Sequence, residues 1–267
     1  MRVRAITALF FVIVVLASIL VSVYLFVLFF IALSAYCLSE FYRIVAGDSG
    51  NPHRSWGLSL GVMLFVLYAA YCLGWVPKDY LPLAFPAVAT VFIASLYQKR
   101  EKPFADIAYT LLGILYVVLP FASFVTLGFL TGSYDYRIPL GFMLILWGND
   151  TGAYLIGRFW GKHRLFERIS PKKTWEGLIG GILLALVTSL LLAHYFPILA
   201  RWQWLGMALT VSIFGTFGDL VESMLKRSQQ VKDSGAVLPG HGGLLDRFDG
   251  LLLAAPAVLA FLKVVLS

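Results

Sequence analysis

Charge is what this sequence has least of. Only 21 Lys and Arg and 14 Asp and Glu occur in 267 residues, whereas 60% of the chain is hydrophobic. So few ionic groups cannot cover a water-soluble domain of this size. Cysteine is nearly absent: Cys37 and Cys72 each lie in an apolar stretch, where a thiol packs as a small hydrophobe, which excludes a disulfide framework and a thiolate metal site. The four histidines, His53, His163, His194 and His241, are scattered, so zinc is a poor fit. No G-x-x-x-x-G-K-S/T segment occurs, which removes the support for a P-loop ATPase. No repeat and no stretch of soluble-domain composition interrupts the chain, and residues 5–39 contain neither glycine nor proline.

What is present is a series of apolar runs. They fall near 5–21, 23–39, 56–75, 81–96, 104–122, 138–157, 175–195, 202–224 and 248–266, which gives about nine helices of roughly 20 residues, the length that spans a bilayer. Met1-Arg2-Val3-Arg4 before an apolar run resembles a signal peptide, but no small-x-small cleavage site follows, so the segment reads as retained. Without a breaker, residues 5–39 fit either two spans or one long tilted helix with an interfacial piece.

Basic residues decide the orientation. Counted on alternate sides of nine spans, 17 fall on one side and only Lys78, Arg137, Arg201 and Lys263 on the other; positive loops stay in the cytoplasm. The expected architecture is an all-α polytopic protein of the cell membrane, with about nine transmembrane helices, the N-terminus cytoplasmic and the C-terminus outside. Residues 1–267 form a single membrane domain, with helices of 1–137 as scaffold or dimerisation surface and 138–267 as the catalytic part. The net charge of +7 then reflects basic residues at an anionic leaflet rather than nucleic-acid binding. Two polar loops, 158–174 and 226–247, hold most of the charge, so chemistry is expected there, facing the cytoplasm.

Carboxylates occur where lipid should be, and acids in apolar helices are expensive unless compensated. Ser212, Gly215, Thr216, Asp219, Glu222, Ser223 and Lys226 recur at three-and-four spacing, which puts them on one helical face. Such a stripe lines a cavity, or else forms a packing seam whose acids pair with Lys226 or Arg247. Asp246 and Asp249 stand one turn apart where the last helix opens. Oxygen ligands of this kind suit Mg²⁺, which shares its shell with water and substrate phosphates. Asn149 and Asp150 lie mid-segment in the sixth run and are expected at the same cavity, Asp150 as a buried hydrogen-bonded acid or in direct contact with metal or substrate. Asp106 and Glu40, near helix ends, read as anchors for local Arg and Lys.

Two loops can hold anions. Ser170-Pro171-Lys172-Lys173-Thr174 reads as a helix start, with Ser170 the cap and Pro171 first in the helix, so free N–H groups and two lysines meet; the plainer alternative is a basic flank with snorkelling lysines. Gly177 and Gly181 serve close helix packing. Pro239-Gly240-His241-Gly242-Gly243 precedes the Asp246 helix, and its amides can form a nest around phosphate; His241 is a phosphate contact or a turn residue.

Ser223-x-x-Lys226-Arg227, Lys232-Asp233 and Pro239-x-His241-Gly242-Gly243-x-x-Asp246-Arg247-x-Asp249 together resemble the complete signature of the phosphatidate cytidylyltransferase family. The segment from Ser170 to Gly177 and the nine-span plan are also similar to that family. The resemblance implies a membrane enzyme, a homodimer, that condenses CTP with phosphatidic acid to CDP-diacylglycerol and pyrophosphate with Mg²⁺, assisted by K⁺ or another second cation. Metal then falls to Asp219 and Asp246, with Asp249 and Glu222 beside them, and phosphates to Lys226, Arg227, Lys172, Lys173 and Arg247, with Ser170, Thr174, Ser223, Lys232, His241, Gly242 and Gly243 around them. The chemistry agrees: an anionic phosphate nucleophile needs no strong base, only alignment and charge neutralisation. A cation-coupled transporter and a CTP-dependent lipid or polyprenol kinase are the competing classes.

Overall fold

The computed structural model describes residues 2–47, 50–235 and 242–266. Among them, nine helical stretches answer to the nine apolar runs. These are α1 (Arg2–Val21), α2 (Val23–Val45), α3 (Arg54–Cys72), a 3-10 turn (Lys78–Leu83) leading into α4 (Ala84–Leu96), and α5 (Pro103–Gly113), joined through a π-helical turn (Ile114–Val118) to α6 (Leu119–Leu127). Then follow α7 (Arg137–Trp160), α8 (Trp175–Tyr195), α9 (Arg201–Ser228) and α10 (Leu245–Leu266). Seven stretches are long and apolar enough to cross a membrane; α1 holds a shorter apolar run, Leu9–Val21, and the more polar α7 is not among the seven. Apart from a two-stranded hairpin and an isolated bridge between Gly47 and Gly50, the described residues form an all-α polytopic membrane protein.

That hairpin corrects the reading of residues 170–174. β1 (Arg164–Phe166) pairs antiparallel with β2 (Ser170–Thr174), Phe166 opposite Ser170 and Arg164 opposite Thr174. Ser170 is therefore not a helix cap and Pro171 is not the first helical residue. The proline itself supplies the reason, because its ring drives the preceding residue into extended backbone. The cap falls instead to Thr174, whose hydroxyl accepts the Gly177 N–H at 3.1 Å while its own backbone stays extended.

The junction of the first two helices is also resolved. Ser22 adopts φ −161° and ψ 144°, outside the helical region, and its Oγ accepts the Tyr24 N–H at 3.3 Å, so α1 ends and α2 is capped at one residue.

The chain divides into two compact units, one of residues 1–126 with 231–246, the other of 127–230 with 247–267. In the first, Phe26 and Phe30 of α2 meet Phe121 and Phe124 of α6 in a buried aromatic cluster, with Phe30 and Phe124 centroids 4.7 Å apart. Farther along α2, the Tyr42 hydroxyl donates to the Thr110 carbonyl at 2.7 Å. Gly57 and Gly113 leave the space that the Tyr42 ring occupies. Pro120 explains the π turn between α5 and α6: it has no N–H and its ring crowds the carbonyl four residues back, at Tyr116, so the preceding turn widens.

In the second unit α8 lies against α7 through glycine. A Cβ on Gly152 would sit 2.9 Å from the Leu184 Cβ, one on Gly177 would sit 2.9 Å from the Ala153 carbonyl oxygen, and one on Gly181 2.7 Å from Asn149 Oδ1. This is the close approach expected of Gly177 and Gly181. The opposite face of α8 shows Ile179, Leu183, Val187 and Leu191, all more than half exposed at four-residue spacing, as a lipid-facing stripe requires.

Candidate active site

Polar chemistry in the second unit gathers around Asp219 of α9. Its Oδ2 pairs with Lys173 Nζ at 2.7 Å, and Ser223 one turn on donates its hydroxyl to Oδ1 at 3.3 Å. Lys173 Nζ also donates to the Thr216 carbonyl at 3.2 Å, so the lysine at the end of β2 is tied twice to one turn of α9. Asp150 of α7 and Asp249 of α10 lie within electrostatic reach of Asp219 and Lys173. Asp219 alone touches the lysine, and Asp150 and Asp249, from two other helices, add formal negative charge to the same neighbourhood.

The approach of Asp219 to Asp249 has a packing cause. Gly215 and Gly218 on α9 lie directly on Asp249 and Gly250 of α10: a Cβ on Gly218 would collide with the Asp249 carbonyl oxygen and come within 3.2 Å of Gly250 Cα. Without side chains on this face, the two backbones reach contact and bring the acids with them. The polar stripe of α9 thus divides. Ser212, Gly215 and Glu222 are buried, whereas Thr216, Asp219 and Ser223 are partly exposed.

The other candidate residues are distributed as follows. Glu222 is fully buried and pairs with Lys226 Nζ at 2.5 Å, four residues on. Arg227, Lys172, Lys232 and Arg247 are exposed. Ser170 is half-buried in β2, and Thr174 is buried with its hydroxyl engaged as the α8 cap. Asn149 points its buried Oδ1 at Gly181, while Asp150 beside it is exposed. His241 lies outside the described residues.

In the first unit Asp246 is held by the loop before α10. Its Oδ2 accepts the Ser234 N–H at 3.0 Å, the Ser234 hydroxyl at 2.9 Å and the Gly243 N–H at 2.9 Å. Gly242 has φ +83°, a conformation that favours glycine, and a Cβ there would lie 2.8 Å from that oxygen. Asp106 pairs with Arg100 at 2.9 Å, a local partner as expected. Glu40 is different: its partners are the Ser234 hydroxyl and the Leu245 N–H rather than an Arg or Lys. A lone acid in an apolar helix was the available signal for Glu40, but contacts about two hundred residues away leave no trace in spacing.

Among the described residues no group of three or more His, Cys, Asp or Glu stands close enough to hold a metal unaided. The donors at Asp219, Asp249 and Asp150 are nonetheless all oxygen, a donor set that fits a hard divalent cation keeping much of its shell for water and ligand oxygens. Lys, Arg and carboxylates gathered on apolar helices define a membrane protein with a charged, oxygen-rich polar site.

The comparison with known proteins gives that class a family. The Cytidylyltransferase family profile matches residues 2–265, and the chain belongs to that family. It is 43% identical over 173 residues to the phosphatidate cytidylyltransferase of Staphylococcus aureus (strain COL). It is 42% identical over 173 residues to those of Staphylococcus epidermidis (strain ATCC 12228 / FDA PCI 1200) and Staphylococcus haemolyticus (strain JCSC1435). Each match covers 63% of this chain and 65% of the relative's length.

Proposed function

We propose that this chain transfers the cytidylyl group of CTP to phosphatidic acid in the cell membrane, giving CDP-diacylglycerol and pyrophosphate. Family membership and the names of the relatives support the reaction. The observation that carries it to particular residues is the Lys173–Asp219 pair with Asp150 and Asp249 in reach. An oxygen of the lipid phosphate attacks the α-phosphorus of CTP, the bond from that phosphorus to the bridging oxygen breaks, and pyrophosphate leaves with the electron pair. The attacking oxygen is already anionic near neutral pH, so no side chain need remove a proton. Positioning and charge are the protein's contribution.

Asp219 and Asp246 are the carboxylates assigned to Mg²⁺, with Asp249 and Glu222 beside them. Bound there, Mg²⁺ supplies charge neutralisation for the triphosphate. Lys173, which pairs with Asp219 at 2.7 Å, would hold a substrate phosphate beside that carboxylate. Lys172, Arg227 and Arg247, all exposed, gather the remaining phosphate charge. Glu222 fixes Lys226 from within the helix packing. The orientation belongs to the same reading: nine spans, N-terminus cytoplasmic, site facing the cytoplasm, on the 17-to-4 division of basic residues. A homodimer and a second cation such as K⁺ complete it.

The test is incubation of purified protein with α-labelled CTP, phosphatidic acid and graded Mg²⁺. Labelled CDP-diacylglycerol with release of pyrophosphate is expected. Release of CDP would point to a kinase, and absence of labelled lipid at every Mg²⁺ concentration refutes the proposal. Asp219→Asn is expected to abolish turnover while leaving the protein folded.

A further inference from the structure

The first turn of α10 rests on a carboxylate from α2. Glu40 is fully buried; its Oε2 accepts the Leu245 N–H at 2.8 Å and lies 3.3 Å from the Ser234 hydroxyl, whose single proton is shared between this oxygen and Asp246 Oδ2. The same hydroxyl lies 2.9 Å from Asp246 Oδ2, so one serine links the two acids. Space is as tightly set as hydrogen bonding. A Cβ on Gly243 would lie 2.7 Å from both Glu40 oxygens, and one on Gly235 would collide with Oε1. That oxygen has no hydrogen-bond partner among the described residues. Burying a carboxylate is costly unless its bonds repay it, and packing alone would be served better by an apolar side chain. What a carboxylate adds here is a negative group at the positive end of α10, where it accepts the Leu245 N–H of the first turn.

We infer that Glu40 is a positioning residue for Asp246, acting through Ser234 and the Leu245 N–H to set the orientation of that carboxylate toward Mg²⁺. The inference rests on the assignment of Asp246 to the cation. It is tested on the full-length protein in mixed micelles by two measurements, the Mg²⁺ midpoint of thermal stabilisation without substrates and the Mg²⁺ concentration for half-maximal CDP-diacylglycerol formation. Glu40→Gln keeps the shape and one accepting oxygen. It is expected to raise both Mg²⁺ midpoints about tenfold to a hundredfold, the range for groups that orient metal ligands, with KM for phosphatidic acid unchanged. Ser234→Ala should give the same displacement, and the double variant no more than the larger single one, because both act through one contact. Should Glu40→Gln fail to fold, Ser234→Ala alone carries the test. Wild-type Mg²⁺ midpoints in these variants, or a wild-type protein that Mg²⁺ does not stabilise, overturn the inference. Shifted stabilisation midpoints in a protein that makes no CDP-diacylglycerol would instead leave it standing and refute the proposed reaction.

Discussion

Gly218→Ala tests the packing that brings Asp219 to Asp249. The added methyl would meet backbone of α10: the Asp249 carbonyl oxygen, the Asp249 carbonyl carbon at 3.2 Å and Gly250 Cα at 3.2 Å. Backbone cannot rotate aside as a side chain does. Restoring an ordinary separation of about 3.5 Å therefore requires α9 and α10 to part by several tenths of an ångström, approaching 1 Å at the oxygen. Overpacking of this kind costs about 1–3 kcal/mol, and at roughly 2–4 °C per kcal/mol for a chain of this size the Tm in detergent should fall measurably. A displacement near 1 Å between groups sharing a cation is worth about a hundredfold in rate. Gly215→Ala is the control one turn away. Its methyl would first meet Leu146 Cδ1 at 3.0 Å, the end of a rotatable side chain, so stability and rate should stay within a few-fold of wild type. Product formation from labelled CTP, read beside thermal unfolding, separates the two variants. Wild-type turnover in Gly218→Ala, or equal damage from Gly215→Ala, refutes the claim that glycine contact places the acids.

Three further outcomes are expected. Thr174→Ala should lower stability by about 1 kcal/mol through loss of the α8 cap, and Thr174→Ser should restore it; thermal unfolding decides. Hydrogen bonds from the Arg137 side chain hold the Asp135 carboxyl below the usual carboxylate range. A depressed folded-state value means the stabilisation is present above the ordinary pKa near 4 and disappears as the pH falls below it. Unfolding midpoints measured from pH 6 down to 3 should therefore decline more steeply for wild type than for Arg137→Gln. Fusion of alkaline phosphatase after Ser267 should yield active enzyme, since that reporter works only outside the cytoplasm; an inactive, stably expressed fusion contradicts the orientation.

The helices were legible because a bilayer demands long apolar runs, and those near 175–195 and 202–224 agree closely with α8 and α9. Residues 170–174 were misread because Ser-Pro satisfies the rule for a helix start and the rule for an extended pair equally well; only pairing with Arg164–Phe166 chooses. The split of the α9 stripe into a buried seam and a polar edge depends on which neighbour covers each side, which periodicity does not encode. Asp219 and Asp249 were recognisable as costly charges, and Lys173 as part of a basic loop. Their mutual reach follows from glycines at 215, 218 and 250 that carry no chemical signal of their own. Glu40 drew notice for the same reason as the other acids, but its partners at Ser234 and Leu245 come from the opposite end of the chain.

The widened turn at Ile114–Val118 separates two stretches of one membrane crossing that both pack on α2. Ahead of it, Thr110 and Gly113 address Tyr42; beyond it, Phe121 and Phe124 address Phe26 and Phe30. Each residue of an α-helix advances the side-chain direction by about 100°, which by itself puts Thr110, Gly113, Phe121 and Phe124 on one face, the face that meets α2. A proline in mid-crossing is thereby tolerated without loss of the α2 contact on either side, the defect being confined to the turn that precedes it.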